Sequence, residues 1–313
     1  MESFDFYPEK PELVEPKQKG SMSLTFFSLV LFVLVFFLFF DNEINFIVYL
    51  VIVLLIHELG HFLAMKFFKY KNVRMLFIPL MGAFVQGIKS NYSQKESFIV
   101  TIAGPFPGVL IGALLIYFGA EYHYTWFLTV GLLFLLLNII NLLPLDPLDG
   151  GQMFKLYFNK GNELMLMIFA FISSLFMIGV GWYIDSYVLM LFGFFMGFRV
   201  RALQKKYEIH KELKQEGVDF ATTYNLLSNQ TYSQIKKVVL EYTPTLQKYT
   251  GQVSEEELDP IFASQVNSVL ITPLIKDASL FFRLMVFIFW VASFIVPIVL
   301  FMNIDVQWYL DGV

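Results

Sequence analysis

Seven stretches of the chain are apolar for most of their length: Leu24–Phe40, Ile44–Met65, Phe98–Phe118, Tyr124–Leu143, Leu164–Ile184, Tyr187–Phe198 and Leu280–Met302. A helix needs about 20 apolar residues to cross the hydrocarbon core of a bilayer. The sixth stretch is short, so it is expected to tilt, or to form a shallow re-entrant pair with the fifth. Between the second and third stretches, Val73–Ser90 is apolar but broken by Pro79, Gly82 and Gly87. Its pieces are too short to span and read as strands around a turn. Arg199 to Asp277 is polar, with helix-like runs at Tyr232–Tyr242 and Glu255–Val269. The pattern predicts an all-α polytopic membrane protein of about 6–7 transmembrane helices. A small membrane-associated β-hairpin and a small cytoplasmic helical domain complete it.

Composition agrees. Of 313 residues, 57% are hydrophobic and 15% charged, with a mean hydropathy of +0.63; soluble domains carry about 25% charged residues. There is no cysteine, so any metal must be held by His, Asp or Glu. The net charge of −4 matters less than where the charges fall. With the N-terminus cytoplasmic, all 22 Lys and Arg lie on the cytoplasmic side or at its boundary. Lys66, Lys69, Lys71 and Arg74 follow the second stretch, Lys155 and Lys160 the fourth, and Arg199, Arg201, Lys205 and Lys206 the sixth. The opposite loops and the C-terminal tail hold only Asp41, Glu43, Glu121, Asp185, Asp305 and Asp311. This bias predicts a cytoplasmic N-terminus and an outer C-terminus. Met1 to Gly20, polar and carrying Pro8, Pro11 and Pro16, does not read as a cleaved signal peptide. A compact, cysteine-free chain with this bias suits a bacterial inner membrane.

The expected segments are 1–23, a cytoplasmic N-terminal segment; 24–43, a first helix and outer loop; and 44–155, a core with the hairpin at about 73–90. Then follow 156–200, a helix pair; 201–278, the cytoplasmic domain; and 279–313, the last helix and outer tail. The polar domain carries no motif. A regulatory or substrate-docking role and a plain helical linker both fit it. His123 and His210 read as ordinary loop residues, and no nucleic-acid partner is expected.

The chemistry sits in His57-Glu58-Leu59-Gly60-His61, near the end of the second apolar stretch. Four residues turn a helix by about 400°, so both imidazoles project from one face and can grip one ion. Glu58 can reach a water beside that ion. Each ionisable residue costs about 2.5–3.5 kcal/mol at the centre of a membrane helix on the insertion scale, so three within five residues call for a function. A catalytic zinc usually takes three protein ligands. The run from Asn141 to Gly151, with Pro144, Asp146, Pro147 and Asp149, ends the fourth stretch at the same depth. Broken backbone of this kind is tolerated in a membrane only inside protein or at a cavity. Asp149 fits the third position better, because Gly150 and Gly151 let the chain bend close to the metal. Asp146 is the alternative, or a supporting partner, or a water-facing acid.

HELGH within a membrane helix, joined to Asn-x-x-Pro-x-x-Pro-x-Asp-Gly near the end of a later one, resembles the site-2 protease family of intramembrane zinc metalloproteases. Ala103-Gly104-Pro105 resembles the family's turn; Gly108 stands where many members carry a polar residue. The resemblance covers about residues 44–155. It implies Zn2+ on His57, His61 and Asp149, Glu58 as general base, and Asn141 at the scissile carbonyl. It also implies a membrane-dipping hairpin, here Gly82, Ala83, Phe84 and Val85, that offers its edge to a substrate. The partners implied are transmembrane segments of other proteins, within the lipid bilayer; a regulatory partner would dock on the cytoplasmic domain. The competing readings are a zinc-binding membrane scaffold or receptor, and a metal-ion transporter.

Overall fold

The computed structural model describes residues 7–13, 22–39, 44–79, 82–89, 91–157, 163–249, 255–271 and 274–305. The 41–43 connection, Pro16, Lys160 and Asp311 lie outside these residues. Helices α1 (Met22–Phe39) and α2 (Ile44–Phe67) lead into an antiparallel hairpin, β1 (Lys71–Ile78) and β2 (Gly82–Ile88). A short strand β3 (Tyr92–Ser93) then starts α3 (Gln94–Ala103), which is followed by α4 (Pro105–Tyr122) and α5 (Thr125–Asn141). Next come α6 (Asp149–Tyr157), α7 (Glu163–Tyr183) and α8 (Tyr187–Gln215), then α9 (Asn229–Glu241), α10 (Pro244–Tyr249) and α11 (Glu255–Val269). Strand β4 (Leu274–Ile275) pairs in parallel with β3, and α12 (Leu280–Asn303) closes the described fold. By length and composition, Ile44–Phe67, Gln94–Tyr122, Glu163–Tyr183 and Leu280–Asn303 can each cross a membrane, with shorter apolar helices at Ser23–Leu38 and Thr125–Asn141. The chain is an integral membrane protein of mainly helical fold with a small hairpin.

Three elements differ from the sequence reading. The third apolar stretch begins earlier, at Gln94, where the Ser93 hydroxyl accepts from the Glu96 amide. It is interrupted at Gly104, and Pro105 opens α4, where a missing N–H is no loss. The sixth helix does not stop at Phe198. It runs 29 residues to Gln215, through the boundary drawn at 200/201. The residues after Phe198 end the apolar pattern but not the helix. No Gly or Pro falls between Arg199 and Glu216, and Gly217 at φ 70 provides the stop. The Asp-Pro-Leu-Asp-Gly-Gly run, read as broken backbone, leads straight into the helical turn of α6.

The far half of α8 builds the helical domain. Ile209 and Leu213 join Ile235, Val238 and Val266 in one buried apolar cluster. Residues 7–13 pack on it: Leu13 touches the cluster and the Lys10 ammonium donates to the Tyr224, Asn225 and Leu227 carbonyls at 2.9, 3.2 and 2.5 Å. His210 is not a loop residue. It is fully buried on α8, stacked on Phe220, with Nδ1 2.9 Å from Glu163 Oε1 and Nε2 2.7 Å from the Val269 carbonyl. Burial pulls its imidazole below the usual value, against the opposing pull of Val269 and Glu163.

Candidate metal centre

Helix α2 carries His57, Glu58 and His61 inward, all buried, while Leu59 and Leu63 on the same helix are exposed as lipid-facing residues would be. The backbones must come close for this. A Cβ on Gly60 would lie 1.9 Å from the Ala103 carbonyl oxygen, and one on Gly104 would lie 2.2 Å from His61 Nε2. The α3–α4 interruption is thus where the chain makes room for the second imidazole. Asp149, in the first turn of α6, comes in from the other side. Gly150 and Gly151 serve closeness there rather than a bend. Side chains at either would strike the Leu142 or Leu145 carbonyl at 2.0 and 2.2 Å.

The three groups converge. His57 Nε2 and His61 Nε2 are 3.2 Å apart, and Asp149 Oδ2 lies 3.1 Å from the first and 3.2 Å from the second. They form a cluster able to hold a metal ion. Ligands about 2.0–2.1 Å from a tetrahedral zinc stand roughly 3.3 Å apart, so the donors and their spacing fit that ion. Glu58 is adjacent, buried, with an Oε2 that has no hydrogen-bond partner among the described residues.

The ring orientations are set from behind. His61 Nδ1 is 2.8 Å from the Val100 carbonyl, which can only accept, so Nδ1 carries the proton and Nε2 presents a lone pair. His57 Nδ1 is 2.7 Å from Asn138 Oδ1, and the Asn138 amide donates to the Phe134 carbonyl at 2.7 Å. The sequence reading missed Asn138. The signal was available, since a polar amide within an apolar stretch also carries a membrane cost. The motif drew attention instead to Asn141, one turn on. Asn141 lines the site cavity and donates to the Leu137 carbonyl at 3.2 Å.

A cavity of about 410 Å³ opens beside the three ligand residues. Its far wall includes Gly82, Ala83, Phe84 and Val85 of β2. The outer edge of the other strand is covered. Thr25 Oγ1 donates to the Met75 carbonyl at 2.7 Å, and the Phe77 amide donates to Ser28 Oγ at 3.2 Å, so α1 occupies the outer edge of β1. No strand flanks β2 on its outer side among the described residues.

Asp146, the alternative ligand, stands elsewhere. It is fully buried and faces Lys155 Nζ at 2.5 Å and Arg199 Nε at 2.9 Å, the latter as an ion pair rather than an aligned hydrogen bond. Its own amide donates to Ser173 Oγ at 3.1 Å. Asp146 therefore ties the loop before α6 to both α7 and α8. From the opposite flank, Trp290 of α12 donates its indole N–H to the Leu142 carbonyl at 2.8 Å.

Parts of this chain are similar to known proteins. Residues 45–125 match the model of Peptidase family M50. Stage IV sporulation protein FB of Bacillus subtilis is 32% identical over 118 residues, covering 36% of this chain and 39% of that protein. A zinc metalloprotease of Methanocaldococcus jannaschii is 29% identical over 110 residues, covering 34% and 32%. The chain thus spans well under half the length of these curated relatives. A solved site-2 protease from Methanocaldococcus jannaschii matches 56% of this chain and 87% of its own at 25% identity, with a TM-score of 0.43.

Proposed function

We propose, from the match of residues 45–125 to Peptidase family M50, that this chain is an intramembrane zinc metalloendopeptidase. It hydrolyses peptide bonds in or near the transmembrane segments of other membrane proteins. The observation that carries the reading is the triangle of His57 Nε2, His61 Nε2 and Asp149 Oδ2, with the unpartnered Oε2 of Glu58 next to it. Zinc bound there would polarise a carbonyl and bring the pKa of water to about 7. Glu58 takes the proton of the attacking water on Oε2 and returns it to the leaving amine. The Asn141 amide, on the cavity wall, donates toward the charge developing on the scissile carbonyl. The substrate lies along Gly82–Val85 as an added strand, which compensates its backbone once its own helix has unwound. A scaffold or a transporter would have no use for a buried carboxylate oxygen kept free beside the ligands.

The charge distribution supports a cytoplasmic N-terminus and an outer C-terminus, in a bacterial inner membrane. The domain at 201–278 would then be cytoplasmic and a place for a regulatory partner. Its biological use would be release of a membrane-held factor, or clearance of remnant signal peptides.

Glu58→Gln tests the mechanism. It is expected to abolish cleavage of a membrane-spanning substrate while zinc content stays at the wild-type level. Normal cleavage by this variant would refute the assignment. Phe84→Pro tests the strand. It should impair cleavage with zinc retained, and unchanged cleavage rejects edge pairing.

A further inference from the structure

The two imidazoles are oriented by unlike means. His61 leans on a backbone carbonyl, which no substitution can remove. His57 leans on one side chain, Asn138, carried on α5, 81 residues away in sequence. We infer that Asn138 is a positioning residue for His57, and that Gly108 of α4 is the seat that holds its amide in place. The inference rests on the metal-centre reading above.

Three observations carry it. Asn138 is fully buried, in a helix otherwise made almost wholly of apolar residues, where an amide is retained only if its polar atoms are used. Both ends of the amide are used, and the two contacts fix which end is which. Nδ2 donates to Phe134 O at 2.7 Å, so Oδ1 must be the atom facing His57 Nδ1, also at 2.7 Å. His57 Nδ1 is then the protonated nitrogen, and its Nε2 lone pair is directed at the ligand cluster. Finally, the amide fills the space in front of Gly108. A Cβ there would lie 2.1 Å from Nδ2, 2.4 Å from Cγ and 2.6 Å from Oδ1. No residue with a side chain fits at 108 while Asn138 keeps this position. The pair therefore acts as one unit. Gly108 yields the volume, and Asn138 converts it into a fixed acceptor behind the metal-facing ring.

Losing a partner of this kind typically lowers metal affinity about 10–100-fold. The test is zinc affinity of the purified full-length chain, by competition with a chromophoric chelator, together with melting of metal-free and zinc-loaded protein. Asn138→Ala should weaken zinc by that factor and shrink the zinc-induced rise in melting temperature, over and above any fall in the metal-free melt. Asn138→Asp keeps an acceptor behind His57 Nδ1 but sets its second oxygen against the Phe134 carbonyl, so it should weaken zinc less than Asn138→Ala does. Gly108→Ala should weaken zinc in the wild-type background and add nothing to Asn138→Ala, because the cavity left by the lost amide accepts the methyl group. Wild-type zinc affinity in Asn138→Ala overturns the inference, and so does a lowered metal-free melt with affinity intact. Should Asn138→Ala fail to fold, Gly108→Ala decides: zinc affinity at the wild-type level in that variant overturns it. Failure of wild type itself to bind zinc, or binding that survives His57→Ala, would instead break the metal-centre reading.

Discussion

The interiors of the helical domain and of the bundle differ in what they bury beside their apolar residues. In the domain, the residues closest to zero exposure are Leu213, Ile235, Val238, Ala263 and Val266, with His210 at the border toward α7. In the bundle, Asn138, Asp146, Ser173, His57 and Glu58 are buried alongside apolar residues such as Phe98 and Ile116, while Phe26, Leu38, Leu114, Trp182 and Phe194 lie exposed. The solvents explain the difference. Water drives apolar side chains together, at roughly 25 cal/mol per Å² buried. Lipid does not, because the tails are as apolar as leucine, so close backbones and interhelical hydrogen bonds specify the packing. A buried polar group in the domain is an exception to be explained; in the bundle such groups are the joints. Ser174 Oγ on Gly193 O, Trp290 on Leu142 O and Asp146 on Lys155 and Arg199 each fasten two elements together.

The sharpest break in this comparison comes from the ligands. Asp149→Ala or His61→Ala should remove both zinc uptake and cleavage, read by metal analysis and a cleavage assay; zinc retained by either would show that the triangle is not the metal's site. Next comes the buried acid. Asp146→Leu leaves Lys155 in the protein without its counter-charge, and breaking a buried pair costs about 3–5 kcal/mol. Thermal melting in detergent should fall sharply. Asp146→Leu paired with Lys155→Met should recover most of the loss, and a double variant as unstable as the single one would deny that the pairing is the cause. In the domain the same depth of burial has a different meaning. Ile235→Ala should cost about 2–5 kcal/mol through the cavity it leaves, seen as faster proteolysis of 201–278, while zinc affinity holds. A fall in zinc affinity there would show that the two interiors are coupled, with α8 and its Arg199 contact as the route.

How far the site could be read from sequence follows the same division. His57 and His61 share a helix, and a spacing of four puts them on one face without further knowledge. Asp149 was legible through its motif, although the reason given for its glycines was wrong: they let α6 approach the α5–α6 loop rather than bend the chain. Asn138 and Asn141 lie three residues apart on one helix, so periodicity places both near the same face. What separates them is Gly108 and His57 arriving from α4 and α2, which no local pattern reveals. Asp146 was left between a ligand, a supporting partner and a water-facing acid, because its fate depends on Lys155 and on Arg199, 53 positions downstream. The end of α8 was misread for a related reason. Hydropathy reports where lipid stops, and a helix of Ala, Leu, Gln, Lys and Glu continues past that point unchanged.

The smallest expected effect concerns the hairpin, whose two edges repeat the comparison on a smaller scale. Both strands have backbone groups that pairing within the hairpin leaves over, and in lipid each such group must find a partner. On β1 the partners are hydroxyls: Thr25 reaches the Met75 carbonyl, and Ser28 receives the Phe77 amide. Those polar residues in an otherwise apolar helix are accounted for by this contact, and Phe32 packing edge-on to Phe77 holds the helix in register. Among the described residues, no hydroxyl covers the edge of β2 beside the ligand cluster in this way. Replacing Thr25 with Val and Ser28 with Ala removes two hydrogen bonds worth about 0.5–1.5 kcal/mol each and frees a second edge for pairing. Hydrogen exchange at Phe77 should quicken by about five- to 150-fold, since the two bonds together are worth about 1–3 kcal/mol and 1.4 kcal/mol is a factor of ten, and cleavage should fall by a smaller factor. The loss should appear in KM rather than kcat, because the ligands and Glu58 are untouched. Exchange at Phe77 unchanged in the double variant would mean that α1 does not protect this edge. A fall in kcat alone would mean that the hairpin positions catalytic groups rather than substrate.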